Sequence, residues 1–164
     1  MENNNNSRAM MDDKFFDNEN SYLTFSLGSE CYGISIKNIS EIIGMQDITK
    51  VPGMPKFISG IINLRGMIVP VMNLRAKFEK PEISYNDRTC IIIIEIDNIF
   101  LGLIVDTVLE VVKIGEDQIT TSPSITSYES NFIDGIGQYN DKVALLLNGE
   151  KLLSKVDINN LKEN

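Results

Sequence analysis

Apolar and polar positions alternate in short runs broken by two-residue turns, and the succession occurs twice along the chain. Tyr22 to Ile43 slides onto Ile91 to Val112 without a gap. Gly33 then falls on Gly102, Ile34 on Leu103, Ile36 on Val105, Ile39 on Val108, Glu41 on Glu110, and Ile42-Ile43 on Val111-Val112. Period-two alternation on either side of such a break predicts a hairpin in each copy. Gly28-Ser29 suits a type II′ turn, and Asp97-Asn98 tolerates the positive φ that a tight hairpin requires. Behind each hairpin a short helix is expected. Ser35 is placed to cap one that carries Ile36, Ile39 and Ile43 on a single face, and Asp106 to do the same before Val108 and Val112. The β-branched content of both segments leaves a strand as the alternative there.

Each copy closes with a further hairpin. Phe57-Ile58-x-Gly60-Ile61-x-Asn63 returns as Phe132-Ile133-x-Gly135-Ile136-x-Gln138, and the turn Arg65-Gly66 is answered by Asn140-Asp141. Four or five short strands per copy bury too little surface alone, so the two copies are expected to pack on each other. The pattern therefore predicts a mainly β chain: two small five-stranded β-barrels packed on a shared hydrophobic junction, with short helices. Residues 1–20, with an Asn run and scattered acids, read as a disordered tail. Residues 21–86 read as the first barrel, 87–154 as the second and 155–164 as a C-terminal tail, the division falling in the polar stretch Glu79 to Arg88. Leu152-Leu153 are expected to dock a short C-terminal helix.

Composition narrows the function classes. With 43% apolar and 23% charged residues the chain is globular, and its net charge of −8, without a Lys/Arg stripe, argues against nucleic-acid binding. A single-stranded nucleic-acid binder would also want stacking aromatics, and there is no Trp. The apolar run Cys90 to Val112 is interrupted by Glu95, Asp97, Asn98 and Asp106, which a bilayer would not tolerate, and the N-terminus lacks a secretory signal. Cys31 and Cys90 stand far apart without metal-ligand spacing, as reduced thiols in a cytoplasmic protein do. No metal or cofactor is expected. Histidine is absent altogether, removing the usual general base and the usual zinc ligand. Gly135-Ile136-Gly137 reaches no third glycine, no phosphate loop is present, and Ser59 lacks the flanking glycines of a nucleophile elbow. The remaining enzymatic alternative is a carboxylate-based hydrolase on a β-barrel scaffold, drawing on Glu41, Glu95, Asp97, Asp106 and Glu110. Against it, those positions read as turn, cap or repeat elements.

The two copies differ at one tip. Asn140-Asp141 accepts left-handed geometry cheaply, whereas arginine has no such preference, so Arg65 suggests a task for its planar five-donor head. Glu41 is placed to fix that guanidinium if its segment lies beside the hairpin. Pro70 lacks a ladder donor and is expected at an edge or a bulge, where Leu145 stands in the second copy. Ile39, Ile42 and Val51 supply apolar surface nearby.

These residues resemble the CheW-type chemotaxis coupling proteins. The resemblance is carried by Tyr22-Leu23-Thr24-Phe25-x-Leu27-Gly28, Tyr32-Gly33-Ile34-x-Ile36, Val51-Pro52-Gly53-Met54-Pro55, the segment Phe57 to Val71, Leu74-Arg75, and Gly102-Leu103-Ile104-Val105-Asp106. It runs from about Tyr22 to Ser154 and departs at Asn73, where the family usually has Asp. It implies two SH3-like or OB-like barrels around a shared junction, with segments exchanged between them. It also implies a non-enzymatic adaptor, monomeric when free and cytoplasmic. Such an adaptor is recruited to membrane-associated receptor arrays, where it couples chemoreceptor cytoplasmic hairpin tips to the regulatory domain of a CheA-type histidine kinase. Carried over by position, the partner-binding residues are Arg65, Glu41, Ile39, Ile42 and Gly60. No nucleic-acid partner and no direct membrane insertion are expected.

Overall fold

Within residues 19–121 and 132–153, which the computed structural model describes, the alternating runs fold as strands. The expected tails over 1–20 and 155–164 lie outside the described residues, save Glu19 and Asn20. In chain order the elements are β1 (Ser21–Leu27), β2 (Glu30–Ser35), β3 (Ile39–Gly44), β4 (Ile58–Leu64), β5 (Met67–Asn73), α1 (Leu74–Lys77), β6 (Cys90–Ile96), β7 (Ile99–Val105), β8 (Thr107–Lys113), β9 (Ile119–Thr120), β10 (Ile133–Tyr139), β11 (Lys142–Leu147) and α2 (Gly149–Leu152). Turn chemistry sets the four hairpins. Gly28 sits at φ 63°, and the pairs Arg65-Gly66, Asp97-Asn98 and Asn140-Asp141 all sit at positive φ.

The helices expected behind the first hairpins do not form. Ser35 does accept the Lys37 N–H, at 3.3 Å, but it caps only the single 3-10 turn Ile36–Asn38. Beyond it Ile39–Gly44 is strand, as is Thr107–Lys113, because β-branched residues fit a pleated surface better than a helix. Asp106 therefore caps nothing.

Six strands form one sheet, in the order β8-β1-β2-β11-β10-β9, and five form the other, β3-β6-β7-β5-β4. In terms of the repeat, each sheet takes its first hairpin from one copy and its last three main strands from the other. Strands thus cross the stretch Glu79 to Arg88 in both directions, and the two-residue β9 is an additional edge. The joints are duplicated in detail. β5 runs parallel to β7 with Val71 opposite Gly102, and β11 runs parallel to β2 with Leu146 opposite Gly33. Each final hairpin carries an irregularity at the same place, Ile58/Gly60 and Ile133/Gly135. The Asn73 N–H donates to the Phe57 carbonyl at 2.8 Å, and the Asn148 N–H to that of Phe132 at 2.7 Å. Both asparagines then cap helices, α1 through the Ala76 N–H and α2 through the Lys151 N–H.

Of the two places expected for Pro70 the structure takes the second: β5 is not an edge strand, lying between β7 and β4, but the Ile61–Pro70 pair stands next to the irregularity at Ile58/Gly60. Ile61 spends both backbone groups on Thr49, at 2.9 Å each, so the Ile61–Pro70 pair exchanges no ladder bonds. On the other side the β7 ladder begins only at Val71. The missing donor is thus never called for.

The core has three parts. Leu23, Phe25, Leu27 and Ile34 of the first sheet meet Ile92, Ile94, Leu101 and Leu103 of the second in one shared junction, which Leu152 and Leu153 close. A second cluster gathers Ile62, Leu64, Val69, Val71, Ile91, Ile93 and Ile104 within the five-stranded sheet, and a third, around Ile114, Tyr139, Ala144 and Leu146, lies within the other. β6 alternates between clusters and is covered on both faces, which explains why its sequence is continuously apolar. Among the described residues no helix is long and apolar enough to cross a membrane. Both cysteines are free thiols, and burial pushes the Cys90 thiol pKa up.

Candidate functional site

Arg65 holds its left-handed backbone, at φ 52°, because Asn63 Oδ1 accepts the Gly66 N–H across the turn at 2.7 Å. Its side chain, 71% exposed, reaches the Glu41 carboxylate on β3, with Nη1 donating to Oε2 at 3.3 Å and Nη2 to Oε1. The carboxylate raises the guanidinium pKa further. β3 and β4 are the two outer strands of the five-stranded sheet, so this pair spans its opposite edges. An exposed ion pair contributes little stability; what it does here is hold a planar cation in one orientation at the surface. Glu41 arrives from a strand rather than from the expected helix.

The other sequence candidates divide. Ile42 is 45% exposed on β3, while Ile39, on the same strand, is half-buried and packs on the shared junction. Gly60 is buried and offers no contact surface. At φ 149° it lets Thr49 approach so closely that an added Cβ would lie 2.2 Å from the Thr49 carbonyl oxygen. Its influence on the site runs through the fold. Asn73 serves as a helix cap, its side chain accepting the Ala76 N–H.

Several exposed apolar residues were not singled out from the sequence. Val111, on β8, is the repeat counterpart of Ile42 and equally exposed, at 47%. Leu109 is exposed beside it, where the first copy has Ser40. The two strands flank a common neighbour, for Cys90 pairs with Gly44 of β3 and its thiol bonds to the backbone of Val108 in β8. The repeat alignment already held this signal: edge strands in matching positions carrying matching exposed aliphatics. Ile68 and Val143 match in the same way on the final hairpins. The carboxylates of the hydrolase alternative are dispersed, with Glu41 paired to Arg65, Asp106 to Arg75, and Asp97 in a turn. No three His, Cys, Asp or Glu side chains converge to hold a metal ion among the described residues.

The CheW-like domain family matches residues 21–157, nearly the whole of the paired-sheet architecture. The chain belongs to this family. Chemotaxis protein CheW of Klebsiella aerogenes is 35% identical over 138 residues, spanning 84% of this chain and 83% of that protein. Chemotaxis protein CheW of Helicobacter pylori is 33% identical over 134 residues, spanning 82% and 81%. Among solved structures, the scaffolding protein TtCheW from Thermoanaerobacter tengcongensis shares the fold with a TM-score of 0.77 at 37% identity, over 84% of this chain and 94% of that one. The CheW-like chain is thus a chemotaxis coupling and scaffolding protein and not an enzyme.

Proposed function

We propose that this CheW-like chain couples the cytoplasmic hairpin tips of chemoreceptors to the regulatory domain of a CheA-type histidine kinase. It works in the cytoplasm, monomeric when free, and is recruited to membrane-associated receptor arrays. The observation that carries the reading is the edge region of β3 and β8. There Ile42, Leu109 and Val111 leave aliphatic surface in water beside the shared junction, and Glu41 fixes Arg65 at the neighbouring tip. A receptor tip is helical and amphipathic, which suits an apolar edge with one oriented cation. The kinase's regulatory domain has the same fold, so sheet-edge contacts are available between the two. Signal then passes as differential binding to kinase states, since an adaptor shifts an equilibrium only by the difference in its affinities for them.

The test is co-sedimentation with receptor signalling fragments and a CheA-type kinase, with kinase autophosphorylation as readout and Arg65→Glu as comparison. The substitution turns the Glu41 pair into a repulsion and is expected to abolish most of the activation while leaving the melting temperature nearly unchanged. Full activation by the variant would remove Arg65 from the contact. A folded, unmodified chain that binds neither partner would remove the whole reading.

A further inference from the structure

Asp106 stands between the sheets and holds both. It leaves β7 of the five-stranded sheet and enters β8 of the six-stranded one. Its carboxylate receives Arg75 in a fork, Nε to Oδ1 at 2.9 Å and Nη2 to Oδ2 at 2.6 Å, from the helix that directly follows β5. Oδ2 also accepts the Gly28 N–H at 2.7 Å, from the β1–β2 turn of the opposite sheet. The Asp106 N–H donates to the Ser26 carbonyl of β1 at 3.2 Å, and the free arm of Arg75, Nη1, donates to the Pro81 carbonyl at 2.7 Å. Five residues beyond Arg75, Lys80 binds Glu30 at the start of β2 at 2.8 Å. The chain from α1 to Pro81 is in this way strapped across the first hairpin of the other sheet.

Stability does not account for this arrangement. The two side chains are only 12% and 17% exposed, and a pair so far removed from water repays its desolvation at best partly, so apolar residues of similar volume would hold the sheets together as well. What apolar residues do not supply is direction. The shared junction draws the sheets together without fixing how one is turned on the other, whereas a forked, charge-assisted contact admits a narrow range of angles.

We infer that Asp106, through Arg75 and Gly28, is a positioning residue that pins the orientation of one sheet on the other, and with it the relative placement of the partner-binding edges β3 and β8. The second half of that statement rests on the proposed coupling function; the first does not. The test uses the full chain with Cys31→Ser and Cys90→Ala, spin-labelled through Ile68→Cys and Val143→Cys, exposed positions on the two sheets. Electron–electron distances are compared with Asp106 present and in Asp106→Asn, whose remaining carbonyl can still accept from Gly28. Arg75→Lys, which keeps the charge and loses the fork, serves as a second variant with a milder perturbation. A displaced or broadened distance distribution in either variant, measured well below its melting temperature, is the expected result. An unchanged narrow peak in both variants overturns the pin whatever the change in melting temperature.

The coupling half is read separately. The variants are expected to bind receptor fragment and kinase singly within about twofold of the unmodified chain, about 0.4 kcal/mol, yet to lose kinase activation in the ternary mixture. Single affinities that fall in step with activation overturn it. An unmodified chain that binds neither partner would defeat the proposed function and leave the distance result standing.

Discussion

Replacing Gly60 with alanine separates a contact role from a structural one. The new Cβ would lie 2.2 Å from the Thr49 carbonyl oxygen and 2.8 Å from Ile48 Cγ2, and the nearer obstacle is backbone, which has no rotamer to yield. A residue with a side chain also resists φ 149°, at about 1–3 kcal/mol. Relief requires the 45–57 loop to retreat, which breaks the paired Thr49–Ile61 hydrogen bonds at about 0.5–1.5 kcal/mol each. Together these give a destabilisation of about 2–6 kcal/mol, or roughly 4–24 °C in melting temperature for a chain of this size. Gly66→Ala isolates the backbone part, because Gly66 sits at φ 88° with nothing within 4 Å of its Cβ; its expected cost is about 1–2 kcal/mol. Thermal melts by far-ultraviolet circular dichroism, with urea midpoints at constant m-value, give both numbers. A Gly60→Ala melting temperature within about 2 °C of the unmodified chain would refute the steric argument. If that unperturbed variant also lost partner binding, Gly60 would have to act by contact after all.

Two further outcomes follow from local chemistry. Arg75, aided by the Gly28 N–H and opposed by burial, holds the Asp106 carboxyl below the usual carboxylate range. A depressed folded pKa contributes stability above the unfolded value, about 3.9, that is lost as pH falls through the folded one, so Asp106→Asn should flatten the acid limb of urea midpoints measured from about pH 6 downward. Lys80 and Tyr32 lower Glu30 in the same way, but its exposure leaves it the smaller part of that slope. Asn73→Ala and Asn148→Ala remove the caps of α1 and α2 and should each cost about 1 kcal/mol, read as a loss of roughly 2–4 °C; no loss at either would show that the short helices are held by packing alone.

The legible parts of this fold are those decided by neighbours in sequence. Gly28-Ser29, Asp97-Asn98 and Asn140-Asp141 announce their turns because few residues accept such backbone angles, and strict alternation announces the strands on either side. Arg65 was conspicuous for the same reason, as a residue whose chemistry the turn did not need, and Glu41 meets it as expected. The segment 39–44 was harder, since Ser35 and the spacing of Ile36, Ile39 and Ile43 favoured a helix while β-branching favoured a strand, and pairing with β6 settled it. Pro70 announced an edge or a bulge and stands beside the irregularity at Ile58/Gly60, but that an interior strand tolerates its lost donor depends on which groups Ile61 uses, a tertiary fact. Arg75 and Asp106 stand 31 residues apart with no periodicity linking them, so nothing local revealed that they meet.

The repeat itself carried an ambiguity that no local pattern removes: a duplicated unit can pair its hairpins within a copy or across copies, and both choices satisfy the same turns and the same alternation. The structure takes the second, and this predicts how the halves behave apart. A chain ending at Asn86 keeps β1–β2 without β8 or β11 beside it, and β4–β5 without β7, while β3 loses its partner β6. The later half keeps β6–β7 and β10–β11 with both parallel joints broken. Each would be left with two separate hairpins, which are marginal in water, the later half with the two-residue β9 still beside β10, and with the shared junction exposed on one side. Neither fragment alone should show a cooperative thermal transition or protected amides, and an equimolar mixture should recover both, with a midpoint that rises with concentration as an association requires. Two-stranded pieces cannot produce a sharp transition by themselves, so a half that melted cooperatively in isolation would mean that its hairpins pair within the copy in solution.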